Sequence, residues 1–198
     1  MNAAAGARLR STCGRDIPLA VDRWLAEPAL EEQRVLDLAL PAVLDVGCGP
    51  ARHTLALARR GVPSLGVDSS PGMARLARHR GAAVLRRSVF DRLPGEGAWG
   101  TILLLDGNIG IGGDPRTLLR RVRALLRRGG RVLVEVDPPG TGSVAVVARI
   151  EHDAGRSGWF RWAQVGADAI ESLAAGAGLA LEDVWTAGHR WFARIDAP

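Results

Sequence analysis

Residues 42–52, AVLDVGCGPAR, constrain this chain more than any other stretch. A short apolar run ends in Asp45, two glycines follow in G-x-G spacing at Gly47 and Gly49, and an amphipathic segment starts at once. That order describes a buried strand running into a tight turn and then a helix. Glycine suits the turn because it tolerates positive φ and has no Cβ to keep a ligand off the backbone. The following helix turns its N-terminal amides and the positive end of its dipole toward whatever the turn holds. A second acid, Asp68, ends the next apolar run at Leu65-Gly66-Val67. It stands about twenty residues on, the spacing of a ribose-binding acid at the tip of a second strand. The first inference is a ligand that contains a nucleoside.

The residues that are missing remove rival chemistries. All 26 basic residues are arginine; the chain has no lysine and no tyrosine, and its two asparagines are Asn2 and Asn108. Without lysine there is no Schiff-base nucleophile, no pyridoxal-phosphate anchor and no P-loop lysine. Without tyrosine and lysine the catalytic pair of short-chain reductases cannot be assembled. The bias toward alanine, glycine and arginine points to a high-GC bacterial genome, so the net charge of +5 partly reflects codon usage. Charge alone therefore carries little weight toward nucleic acid.

At 198 residues the chain fits one domain with a full core. No run reaches the length and apolarity of a membrane span, and the N-terminus has arginines but no apolar segment of the kind a signal peptide needs. Cys48 sits inside the glycine turn and Cys13 in a loose N-terminal arm. Neither suggests a disulfide framework or a metal site, and the expected setting is the cytoplasm.

The first twenty residues carry little pattern. Residues 19–40 read as helical but are broken by Pro28 into two short pieces, forming an N-terminal helical arm or lid over 1–40. A regular alternation then begins, with strands over 42–46, 63–67, 83–85, 101–105 and 131–136. Helices over 52–60, 71–80 and 115–127 separate most of them, with Pro71 in a first turn and Asp114 as an N-cap. Strands alternating with helices predict a parallel sheet covered on both faces. The arginines of 115–127 surround an apolar face at Leu118, Leu119, Val122, Leu125 and Leu126, the pattern of a solvated helix surface. Past residue 140 the alternation stops. Residues 144–150 and 159–165 flank a polar turn as an inserted hairpin, spanning 143–166. Residues 179–186 and 191–195 form a second hairpin with no room for a crossover helix, so the last strand must be antiparallel.

On these motifs the stretch 41–198 resembles the class I S-adenosylmethionine-dependent methyltransferases of small-molecule type. VLDVGCGPARHTLALARRG resembles their first motif and LGVDSSPGM the segment after it. RSVFDRLP resembles the acidic third-strand turn, TILLLDGNIGIGGDP the fourth-strand region, and LLRRGGRVLVEV the start of the fifth strand. The chain departs from the pattern at Ala51, where many members have a third glycine, and at Arg128, where proline is common. The resemblance implies an α/β fold: a Rossmann-like, doubly wound, mostly parallel seven-stranded sheet with an antiparallel last strand, plus a small hairpin after strand five. It implies S-adenosylmethionine as cofactor and S-adenosylhomocysteine as product. Gly47, Cys48 and Gly49 would face the methionine portion, with Asp45 near its ammonium group. Asp68 would take the ribose hydroxyls, with Ser69 and Met73 beside it. Asp91 would accept from the adenine amino group, with Val89 or Phe90 beside the ring, and Leu105 and Asp106 would line the sulfonium end.

The acceptor is less legible. Asp106 and Asn108 lie where ligands bind, beyond a strand's carboxyl end, and His152 at the inserted hairpin is a candidate base if the acceptor must lose a proton. No metal is implied. The loop Asp106-Gly107-Asn108 lacks the Pro-Pro-aromatic and Pro-Cys signatures of nucleic-acid methyltransferases, which disfavours nucleic acid. Trp24, Trp159, Phe160 and Trp162 can either line an apolar acceptor pocket or serve as core. The expected activity is methylation of an oxygen, nitrogen or carboxylate of a small organic molecule, by a monomer or homodimer, with no membrane partner. A nicotinamide-dependent oxidoreductase rests on the same G-x-G and ribose acid, although Arg52 stands where its third glycine belongs; a non-catalytic accessory protein of the same fold is the other alternative.

Overall fold

The computed structural model describes residues 7–12, 14, 16–153 and 155–198; Cys13 lies outside them. The N-terminal stretch, patternless in sequence, holds two short strands, β1 (Arg8–Ser11) and β2 (Asp16–Pro18), before the two expected helices, α1 (Val21–Leu25) and α2 (Leu30–Asp37). β1 buries one apolar side chain, Leu9, between the charged Arg8 and Arg10, which is too little periodicity to read as a strand.

From there the alternation follows the sequence: β3 (Val43–Val46), α3 (Arg52–Arg59), β4 (Ser64–Asp68), α4 (Pro71–His79), β5 (Val84–Arg86) and β6 (Trp99–Leu104). A kinked 3-10 turn (Asn108–Gly113) leads to α5 (Pro115–Leu125) and β7 (Leu126–Val136). Local chemistry sets the helix starts. Ser70 Oγ accepts from the Met73 amide at 3.4 Å with Pro71 in the first turn, and Asp114 Oδ1 accepts from the Thr117 amide at 3.1 Å ahead of Pro115. The chain closes with β8 (Ser143–His152), β9 (Gly155–Arg156), β10 (Phe160–Val165), α6 (Ile170–Ala175), β11 (Ala180–Ala187) and β12 (Arg190–Asp196).

Seven strands form one sheet in the order β11-β12-β7-β6-β3-β4-β5. The five from β5 to β7 are parallel, whereas β12 runs antiparallel to both β7 and β11. Every residue of β3 and β6 is buried, as strands covered on both faces require. Alternation divides the core between the two faces. Leu44, Ile102, Leu104 and Val132 pack with Leu118, Val122 and Leu173 of α5 and α6. Val43, Leu103, Leu105 and Leu133 pack with Val35, Leu36 and Leu57 of α2 and α3. β3 lies between β4 and β6, so the order reverses there and a crevice opens beyond the carboxyl ends of β3 and β6.

The inserted hairpin exists but is not a separate appendage. β10 and β8 pair antiparallel, and β8 continues outward onto β1 and then β2, with β9 also on β8. The N-terminal arm is thus partly strand, joined edge to edge with the insertion. An isolated bridge between Asp137 and Gly166 fastens this second sheet to the end of β7. Among the described residues no helix is long and apolar enough to cross a membrane, and no cluster of His, Cys, Asp and Glu could hold a metal ion.

Candidate active site

The loop after β3 is built to be approached. Gly47 has φ +69° and Gly49 φ +53°, values an L side chain rarely adopts. At Gly49 the space a side chain would fill is open, whereas at Gly47 a Cβ would come within 2.7 Å of Asn108 Nδ2. That amide holds the loop in place, donating to the carbonyls of Val46 at 2.8 Å and Gly47 at 3.1 Å. Asp68, at the end of β4, ties the two turns together. Its Oδ2 accepts from the Gly49 amide and its Oδ1 from the Ser70 amide, both at 2.8 Å. Burial pushes the Asp68 carboxyl above its ordinary range, and the two amide bonds only partly oppose this. Each carboxylate oxygen keeps a lone pair for a ligand hydroxyl.

A cavity of about 760 Å³ opens from this loop, and it has two halves. One is walled by Gly47, Cys48, Gly49, Asp68, Ser69 and Met73, with Ser88, Val89 and Phe90 from the loop after β5. The other is covered by the second sheet and the N-terminal segment: Leu9, Leu19, Trp24, Ile150, Phe160 and Trp162. Phe160 and Trp162 meet edge to face, with centroids 6.1 Å apart. Asp106 and Asn108 lie on the wall as well.

Four of the expected site residues are placed elsewhere. Asp45 shares the face of Val43, beneath α3, where its Oδ2 accepts from Thr54 Oγ1 at 2.8 Å; it is sealed from the cavity and burial raises its carboxyl. Leu105 falls on that same face by strand alternation and packs with Leu57 and Phe192. Asp91 is exposed and off the wall, its Oδ2 accepting from the Ser88 amide at 3.0 Å to close a turn, so Ser88, Val89 and Phe90 reach the cavity in its place. His152 ends β8 opposite Gly155, exposed and away from the cavity. Of the aromatics weighed for the acceptor, Trp159 is half exposed under the Arg149 guanidinium and lines nothing here.

The larger surprise is a buried ionic network beneath Asp106. Arg23 Nη2 lies 2.8 Å from Asp106 Oδ1, Arg52 Nη2 2.7 Å from Oδ2, and Arg190 Nη2 3.4 Å from Oδ1. Behind them Glu32, fully buried, accepts from Arg52 at 2.5 Å and Arg190 at 2.7 Å. Glu135 grips Arg190 at 2.8 and 2.5 Å and accepts from the Asp106 amide at 2.7 Å. His53, also buried, sits 3.1 Å from Arg52 Nε and 3.4 Å from Glu32 Oε1. Burial works to raise the Glu32 carboxyl, but its contacts with His53 and Arg190 and the charge of Arg52 outweigh it and hold the group well below its usual range. The three guanidiniums and three carboxylates balance, so the assembly tolerates burial and fixes Asp106 at φ +56°. Sequence reading missed Arg23, Glu32, Glu135 and Arg190. One signal was available: Glu32 shares helical spacing with Val35 and Leu36, which marks an acid on a buried face.

Residues 43–130 match a family described as a methyltransferase domain. A trans-aconitate 2-methyltransferase from Rhodococcus jostii (strain RHA1) is 31% identical over 121 residues, 60% of this chain and 46% of that protein. The chain thus matches less than half the length of that curated relative. A methyltransferase from Bacteroides fragilis, solved with S-adenosylhomocysteine, superposes with a TM-score of 0.83 at 23% identity, over 98% of this chain and 89% of that one. The 1,6-didemethyltoxoflavin-N1-methyltransferase of Burkholderia thailandensis, solved with 1,6-didemethyltoxoflavin and S-adenosylhomocysteine, gives 0.63 at 20% identity, over 89% and 81%. Residues 43–130 thus match a methyltransferase domain, and the chain shares its fold with solved S-adenosylmethionine-dependent methyltransferases, including the reversal of strand order at the glycine loop.

Proposed function

We propose that the protein transfers a methyl group from S-adenosylmethionine to an oxygen, nitrogen or carboxylate of a small organic molecule. The observation that carries this reading is the single cavity that joins the glycine-loop cradle to an apolar chamber under the second sheet. The residues present fit the cofactor. Gly49 leaves open the space a Cβ would fill, Asp68 keeps lone pairs for two ribose hydroxyls, and Val89 and Phe90 offer an apolar wall to a purine. Ser69 and Met73 complete that half of the wall. When bound, the cofactor supplies an electrophilic methyl group on a sulfonium.

The protein's contribution is alignment and exclusion of water. The acceptor's lone pair forms the new bond to the methyl carbon while the electron pair of the broken carbon–sulfur bond stays on sulfur. A hydroxyl or protonated amine also releases its proton, whereas a carboxylate or neutral amine has none to lose. Asp106, held by Arg23, Arg52 and Arg190, is the residue we assign to orient the acceptor: Oδ2 makes one strong bond, to Arg52, and retains a lone pair toward the cavity. Asn108 acts through the glycine loop and is a positioning residue. No base role is assigned to His152.

The names of the similar proteins support a small acceptor without fixing its reacting atom, one being a trans-aconitate and one a didemethyltoxoflavin methyltransferase. Nucleic acid is not the partner we assign, because the acceptor half lies under β1, β8 and β10 rather than on an open face. With Cys48 a buried free thiol, we assign a reducing cytoplasmic setting. Calorimetry with S-adenosylhomocysteine and methyl release across an acceptor panel test the proposal. Binding is expected, with Asp68→Ala weakening it more than about tenfold, since hydrogen bonds to a charged group contribute roughly 1.5–3 kcal/mol each. An unchanged dissociation constant in Asp68→Ala refutes the donor assignment. Tight NADH binding without S-adenosylhomocysteine binding favours the oxidoreductase. Cofactor binding with no methyl release on any acceptor favours an accessory role.

A further inference from the structure

The acceptor half of the cavity presents little polarity, and the charge it does present is already matched. Its wall is Leu9, Leu19, Trp24, Ile150, Phe160 and Trp162. Arg161 stands between Phe160 and Trp162, but strand alternation turns its side chain to the opposite face of β10, with its exposed partner Val147. Ser157 is on the wall with its hydroxyl occupied: Oγ accepts from the Ile150 amide at 2.9 Å and donates to the Gly158 carbonyl at 2.8 Å. Arg52 is 2% exposed and spent on Glu32 and Asp106. The charged group left open is Asp106, with 17% of its side chain exposed. Its Oδ1 accepts from Arg23 and Arg52, both at 2.8 Å, and from Arg190 at 3.4 Å, whereas Oδ2 accepts from Arg52 alone, at 2.7 Å. Behind it Arg23, Arg52 and Arg190 stand against Glu32, Asp106 and Glu135, three charges of each sign.

An ion brought into such a chamber meets no net opposite charge. A carboxylate there faces Asp106, and an ammonium that reaches Oδ2 comes up against Arg52 and Arg23. Either one gives up its hydration without gaining a counter-ion. A neutral O–H or N–H meets neither obstacle, because it donates to the remaining lone pair of Oδ2 in a bond strengthened by the carboxylate. The aromatic walls favour a flat ring for the rest of the molecule. We propose that the acceptor half takes a neutral, flat ring compound whose hydroxyl or N–H donates to Asp106 Oδ2, and that it rejects carboxylates and ammonium ions of the same shape. This rests on the methyltransferase reading above, and it makes the balance between Arg23 and Asp106 the determinant of acceptor charge.

The test is calorimetric titration of the protein, saturated with S-adenosylhomocysteine, with four probes of one ring system: naphthol, its methyl ether, naphthoate and naphthylmethylammonium. S-adenosylhomocysteine carries no sulfonium, so the affinities report the protein's own charges. Naphthol is expected to bind at least about tenfold more tightly than each of the others, the effect of one hydrogen bond to a charged group. For a nitrophenol, affinity should fall as the pH rises through the phenol's own ionisation. Asp106→Asn leaves one guanidinium in excess, and Arg23→Gln, at a side chain one-third exposed, leaves one carboxylate in excess. The first should shift relative affinity toward naphthoate and the second toward the ammonium, each by about tenfold. A purely structural role would not move selectivity in opposite directions. The proposal is overturned if S-adenosylhomocysteine binds but naphthol does not, if any of the other three probes matches naphthol, or if the folded variants leave the relative affinities unchanged. Where a variant does not fold, the wild-type affinities decide. Those outcomes leave the donor assignment standing. A failure to bind S-adenosylhomocysteine overturns the donor assignment and this inference with it.

Discussion

Replacing Glu32 with glutamine is the sharpest test of the ionic network, because it removes one charge with almost no change of volume. Glu32 is fully buried, and its Oε1 accepts from Arg52 at 2.5 Å and Arg190 at 2.7 Å. Its Oε2 accepts from the Ala29 amide at 2.9 Å, capping α2. In Glu32→Gln one of the two ends must turn an NH₂ toward a donor, either an arginine or the Ala29 amide. At an effective dielectric of about 20, a unit pair at 2.7 Å attracts by roughly 6 kcal/mol, much of which offsets the desolvation of the ions. Removing one partner of a buried pair typically costs about 3–5 kcal/mol. Arg52 keeps Asp106 and Arg190 keeps Glu135, so the lower end, about 3 kcal/mol, is expected. For a chain of this size that lowers Tm by roughly 6–12 °C. Glu27→Gln is the control. It breaks an ion pair with Arg59 in which both side chains are more than half exposed, and such pairs contribute about 0–1 kcal/mol. Circular dichroism melts of the two variants decide the matter: if Glu32→Gln melts within 2 °C or so of Glu27→Gln, the network does not hold the fold and the account of how Asp106 is fixed fails.

Acid should expose the same group. Its folded-state carboxyl titrates well below the ordinary value of 4.5, so its stabilisation is complete above about pH 4.5 and drains away as pH falls toward the folded value. Burial raises Asp45, Asp68 and Asp137, which has the opposite sign and favours the fold on acidification. The difference in urea midpoint between wild type and Glu32→Gln should therefore shrink between pH 7 and pH 3, and a constant difference contradicts the assignment. Gly47→Ala places a Cβ at positive φ within 2.7 Å of Asn108, so it should weaken S-adenosylhomocysteine binding more than about tenfold by calorimetry; retained affinity would mean the loop does not need that close approach. Burial raises the Cys48 thiol well above its ordinary range. In a Cys13→Ser background, iodoacetamide at pH 8 should alkylate Cys48, followed by mass spectrometry, only after denaturant is added.

The parts legible in the sequence were those encoded over short distances. Val43–Val46 followed by two glycines, Pro71 behind Ser70 and Pro115 behind Asp114 each signal their structure within a few residues. The antiparallel closing strand was legible for a related reason, since the short gap between the apolar runs 179–186 and 191–195 leaves no space for a crossover, and only Gly188 and His189 separate β11 from β12. β1 and β2 were not legible, because a single buried Leu9 gives no period and their partner β8 lies far along the chain. Asp45 and Leu105 were misplaced although alternation was visible, because strand ends alone do not say which face meets the ligand. Arg52 read as a missing glycine and Arg190 as a turn residue. Their meaning depends on Glu32, Asp106 and Glu135, which only the folded sheet brings together.

The pairing of β1 with β8 has a consequence for the order of assembly. The side chains of Arg8 and Glu151 meet across a sequence separation of 143 residues, whereas β3 through β7 connect through successive short crossovers. During synthesis the cofactor-side strands can find their neighbours as soon as each emerges, while β1 must wait for β8. Closing so long a loop is entropically unfavourable and is repaid only when Leu9 and its ladder dock. The acceptor chamber can therefore be roofed only after the five parallel strands have emerged, with β11 and β12 still to follow at the far edge of their sheet.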